Sequence, residues 1–184
     1  NNFDEGTIDI LIKLQKKEKE KRLMTSNIDE VEANKILKMG GAPVGKMDLL
    51  DLEEYTIISF LRRWCDGDYL RDQLKQELII NLGYVEGNQT YECFKNLCEM
   101  IFNHGRRALI RHKTDCNCVG ADESCFAQLI LRASNNYKED VILISLLLMP
   151  PHLSAETVSL AKKIGTSIKN LIDNDKINSN YNLN

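Results

Sequence analysis

The feature that most limits how this chain can fold is a helical apolar period running from about residue 52 to residue 172, cut by glycine and proline. Leu52, Ile57, Phe60, Leu61 and Trp64 recur at three- and four-residue steps, which sets them on one face of a helix. Asp48 or Asp51 supplies its N-cap and Gly67 its stop. A second helix is predicted from Asp68 to Leu82, with Leu70, Leu74 and Leu78 inward and Gly83 ending it. After a turn around Glu86-Gly87-Asn88, a third runs from about Thr90 to Asn103 through Phe94, Leu97, Cys98, Ile101 and Phe102. Cys98 on that stripe reads as a small core residue, as do Cys65 and Cys93. Further helices are expected over Asp122–Ser134 and Lys138–Met149, and a last one opens at Ser154 and carries Val158, Ala161, Ile164, Ile168, Leu171 and Ile172. The Lys138–Met149 segment is apolar nearly all round, which predicts that it is the central buried helix. Strand-like alternation of any length is missing. The fold class is therefore all-α: a single compact multi-helix domain over residues 48–173, with a helical arm and linker over 1–47 and a disordered tail over 174–184.

The arm carries Ile8, Leu11 and Leu14 at helical spacing and then a run of charges from Lys16 to Arg22, a solvated segment that also suits contact with a partner. Asn27 with Glu30 reads as an N-cap before a short helix through Ile28, Val31, Ile36 and Leu37, stopped by Gly40-Gly41. Gly40 to Lys46 has the skeleton of a phosphate-binding loop. Met47 stands where magnesium would need a hydroxyl, and the preceding pattern is helical, so the segment reads as a plain linker. A net charge of −3 argues against a surface given over to nucleic acid, although a local basic patch is allowed. The longest apolar run, Val141 to Met149, falls short of the roughly 20 residues that span a bilayer. The spacing of the six cysteines makes no small disulfide framework and predicts a reducing, cytoplasmic compartment.

One stretch has no apolar period able to fold it. Residues 104–126 read HGRRALIRHKTDCNCVGADESCF and gather histidines, cysteines and the cations Arg106, Arg107, Arg111 and Lys113. Something other than its own hydrophobicity must order the turn from Asp115 to Ala121. A metal is one answer: His112, Cys116, Cys118 and Cys125 are the residue types that close a tetrahedral zinc site, with Cys125 in the first turn of the next helix. Cys-x-Cys is less specific than paired CxxC units, however. The same residues can be a core cysteine beside Phe126 with two free loop thiols, or ligands and thiols of an iron–sulfur or redox site.

The HGRRALIRH segment followed by CNCVGADESC resembles a string found in a set of small uncharacterised bacterial helical proteins, over roughly residues 52–173. The resemblance implies no activity. It implies that residues 104–125 act as one unit.

Signatures of zinc proteases, serine hydrolases, dinucleotide-binding folds and glycosidases are missing, and His152 after Pro150-Pro151 reads as structural. The expectation is a non-catalytic interaction or regulatory module, zinc-stabilised, that presents Arg106, Arg107, Arg111 and Lys113 to an acidic protein partner, with nucleic acid the less favoured occupant. The alternative is a thiol or redox enzyme that uses Cys116 or Cys118.

Overall fold

The structure, a computed structural model, describes residues 39–181, with side chains through 174. The expected arm helix and the helix after Asn27 lie outside the described residues. A short strand β1 (Pro43–Lys46) leads through a 3₁₀ turn (Met47–Leu49) into α1 (Leu52–Cys65), α2 (Asp68–Leu82) and α3 (Tyr84–His104). An irregular segment then reaches β2 (Cys118–Gly120), which runs directly into α4 (Ala121–Ser134), α5 (Lys138–Leu148) and α6 (Pro151–Tyr181). The all-α class holds, with one small antiparallel pair added: Lys46 faces Cys118, Gly45 faces Val119 and Pro43 faces Gly120, with a bulge between Pro43 and Gly45. No described helix is long and apolar enough to cross a membrane.

Local signals place the first two helices as expected. The Asp51 side chain accepts from the Glu54 N–H at 2.8 Å and caps α1, and Gly67 and Gly83 turn the chain at φ 105° and 83°, in the left-handed region that favours glycine. The third helix differs from expectation. It starts at Tyr84, and the predicted turn at Glu86-Gly87-Asn88 is helical. Gly87 serves packing: a Cβ there would lie 2.5 Å from the Leu78 carbonyl oxygen and the Ile79 Cα, so its absence lets α3 close onto α2.

The central helix is α6, which packs against all five of the others and buries Ala161, Ile164, Ile168, Leu171 and Ile172. This overturns the expectation for Lys138–Met149. In α5 only Val141 and Ser145 are buried, and Ile142, Leu143 and Leu147 are exposed. The helix lies at the edge against α4 and α6, so one narrow stripe suffices to dock it and its apolar character does not report depth. The last helix opens at Pro151, where a proline suits the first helical position, rather than at Ser154. Its backbone stays helical to Tyr181, past the boundary expected at residue 173, because each added residue of an existing helix gains one hydrogen bond without a new nucleus. Three phenylalanines tie the layers together. Phe94 of α3 meets Phe60 of α1 and Phe126 of α4 edge-on, with ring centroids 6.1 and 6.0 Å apart.

Candidate functional site

What orders the cysteine segment is a buried ion pair. Arg62 is 1% exposed and Glu123 is fully buried. Arg62 Nε donates to Glu123 Oε1 at 2.7 Å and its Nη2 to Oε2 at 2.8 Å, the two-pronged geometry that suits a guanidinium and a carboxylate. The remaining donors of Arg62 reach out of the core into the loop. Nη1 binds the Cys116 carbonyl and Nη2 the Cys118 carbonyl, each at 2.6 Å. Glu123 does the same from the other side, accepting the His112 N–H at 3.0 Å and the Gly120 N–H at 2.8 Å. Burial alone would raise the Glu123 carboxyl, but the Arg62 guanidinium and the two backbone donors outweigh it and hold it below the ordinary glutamate value. Every charge and lone pair of this buried pair has a partner, which is the condition under which such a pair is tolerated.

The neighbouring acid repeats the device. Asp122 accepts from Arg107 through both carboxylate oxygens, Nη1 lying 2.6 Å from Oδ2, and Oδ2 also takes the Ile110 N–H at 2.9 Å. Gly40 is pressed against this pair: a Cβ on it would lie 2.2 Å from Asp122 Oδ2. The segment read as a plain linker is therefore part of the site. It supplies the close-packed Gly40, strand β1 along Cys118–Gly120, and the Gly41 carbonyl described below.

Three of the four cations expected to form a surface patch are bonded within the chain, although Arg106 and Arg107 remain exposed. Arg106 donates its backbone N–H to the Leu148 carbonyl at 2.9 Å and its Nε to the Met149 carbonyl at 3.1 Å, satisfying the open end of α5. Arg107 holds Asp122, and Arg111 pairs with Asp66 at 2.5 Å. Lys113 is exposed.

The expected metal ligands are not brought together. Among the described residues no group of three or more His, Cys, Asp or Glu is placed to hold a metal ion. Cys125 is the outlier, for a geometric reason. It lies two residues beyond Glu123, roughly 200° around the helix, so with Glu123 facing Arg62 it looks away from the loop. Its charged neighbours are Asp122 and Arg107, and burial raises its thiol.

His112 and Cys116, by contrast, meet side chain to side chain, and Cys118 reaches the same sulfur through its backbone N–H. His112 Nε2 lies 3.1 Å from the Gly41 carbonyl oxygen, which can only accept, so this nitrogen carries the hydrogen in the neutral ring. The free lone pair is then on Nδ1, 3.8 Å from the Cys116 sulfur. The ring edge rests against Gly120, where a Cβ would lie 3.1 Å from His112 Cδ2. Cys116 Sγ also receives the Cys118 N–H at 3.4 Å. Cys118 is exposed, and its hydrogen bond to Cys116 raises its thiol, so that it keeps its proton beside its neighbour. The sequence reading missed Arg62, Asp66, Asp122 and Glu123. A signal existed for one of them: Arg62 follows Ile58 by one helical turn, on a face otherwise given to the core.

Compared with family models, curated proteins and solved structures, the chain matches none of them.

Proposed function

We propose that the chain is a thiol-dependent protein whose reacting group is Cys116, with His112 as its base. The observation that carries this reading is the contact of Cys116 Sγ with His112 Nδ1 at 3.8 Å, on a ring whose other nitrogen is bonded to the Gly41 carbonyl. A nucleophile, a base within reach and a third group that orients the base make the arrangement by which weak nucleophiles are activated. The backbone around it is held by a buried pair that anchors both the His112 and the Cys116–Cys118 ends, which keeps the two side chains in register. The six free cysteines support a reducing, cytoplasmic setting. An interaction surface built on the four cations has less support, because Arg106, Arg107 and Arg111 are bonded within the chain.

The test is alkylation of the native protein with iodoacetamide at neutral pH, followed residue by residue by mass spectrometry. Cys116 should label first, and His112→Ala should slow it by at least about tenfold, a modest share of what a positioned base contributes. The reading fails if Cys116 labels no faster than the more exposed Cys118, or if His112→Ala leaves its rate unchanged in a folded protein.

A further inference from the structure

We infer that Cys116 and Cys118 work as a dithiol that reduces small disulfides, Cys116 attacking and Cys118 resolving. This rests on Cys116 being the reactive thiol and adds the identity of its second group and of its substrate class. The geometry is that of two thiols on one short, clamped segment. Cys118 lies two residues on, is exposed, and places its own N–H against the Cys116 sulfur at 3.4 Å. Arg62 grips the carbonyls of both residues at 2.6 Å, so the backbone that carries the two sulfurs is held as one piece. Residues two apart have Cα atoms no more than about 7 Å from each other. Disulfides span about 4.4–6.8 Å, so the bond between them needs little backbone movement. The ring it closes is small and at the surface, and strained, exposed disulfides are the labile ones used in exchange.

A single turnover balances with the substrate disulfide as the two-electron oxidant. The Cys116 thiolate, its proton taken by His112, attacks one sulfur of the substrate disulfide; that S–S bond breaks, a Cys116 mixed disulfide forms, and the first substrate thiolate leaves. Cys118 gives up its proton and attacks the Cys116 sulfur, forming the Cys116–Cys118 bond and expelling the second substrate thiolate. The two protons end on the two thiols released. Two electrons have passed from the protein dithiol to the substrate, and a second dithiol must return them for another cycle. Lys46, opposite Cys118 across the strand pair, and Arg62 are the cations that favour the Cys118 thiolate. Formation of the mixed disulfide removes the hydrogen bond to Cys116 that had held the Cys118 proton in place.

The experiment treats the reduced full chain with 5,5′-dithiobis(2-nitrobenzoate) and follows both thiolate release and intact mass. Wild-type protein should release two thiolates in a fast phase and lose two hydrogens with no adduct at Cys116 or Cys118, the new bond being located by peptide mapping. Cys118→Ser should release one in that phase and keep a stable adduct on Cys116. A wild-type protein that itself keeps a stable adduct on Cys116 overturns the dithiol while leaving the Cys116 reading standing. If Cys116 is not the fast thiol, both readings fall together. Because the wild-type outcome decides alone, a poorly folded variant does not remove the test.

Discussion

Replacing Glu123 by alanine removes the centre of the polar network that grips the backbone of the cysteine loop beside the buried Leu109 and Val119. Its carboxylate, fully buried, takes four donors: Arg62 Nε, Arg62 Nη2, the His112 N–H and the Gly120 N–H. In Glu123→Ala the guanidinium stays buried with only the Cys116 and Cys118 carbonyls to bind. Breaking a buried pair by deleting one member costs about 3–5 kcal/mol. Two backbone donors left without acceptors add about 1–3 kcal/mol each where water cannot reach them. These terms overlap, so the expected loss is about 4 kcal/mol, which corresponds to a fall in Tm of about 8–16 °C for a chain of this size. Glu123→Gln should lose somewhat less, since it keeps one acceptor oxygen and points an amide N–H₂ at the donors that faced the other. Urea unfolding with m-values gives the loss, and amide hydrogen exchange at His112 and Gly120 shows where it falls. The pH dependence carries a second signature. The folded-state value of Glu123 is depressed, so its contribution is present above the unfolded glutamate value of about 4.3 and is lost as pH falls through the lower folded value. Glu123→Gln should flatten the acid limb of the stability curve. A loss below about 1 kcal/mol in Glu123→Ala, with His112 and Gly120 still protected, would refute the argument that this pair orders the loop.

Arg107→Ala should cost about 1–3 kcal/mol, because Asp122 is only 3% exposed and keeps just the Ile110 N–H, whereas Lys113→Ala should lie within about 0.5 kcal/mol of wild type in the same denaturation assay. Purified protein analysed for metals should hold well under one zinc per chain and unfold at the same temperature with and without chelator; about one equivalent, lost together with several kcal/mol of stability on chelation, would restore the four-ligand site of His112, Cys116, Cys118 and Cys125. Leu147→Lys, on the exposed face of α5, should leave Tm within about 2 °C, and a large fall would show that this face is covered.

The helices were legible in the chain because each carries its own evidence. The Asp51 cap, the glycines at 67 and 83 and the apolar steps of α1 and α2 are local signals, set by backbone geometry and side-chain period within a few residues. The same local reading found no apolar period able to fold residues 104–126 and singled out His112, Cys116 and Cys118 there as candidate ligands or loop thiols. It could not say what would order them. Arg62 and Glu123 are 61 positions apart and each looks ordinary in place, one a charge within a helix and the other an acid in a first turn. Their pairing, the packing of Gly40 on Asp122 and the Gly41 bond to His112 arise only when α1, β1 and α4 meet. Depth was hidden for the same reason. A period tells which side of a helix is apolar, while whether that side meets two neighbours, as in α5, or all five, as in α6, depends on where the other helices lie. Spacing along the chain sets Cys125 beside the other candidate ligands, whereas on α4 it lies two residues from Glu123, nearly opposite it in space.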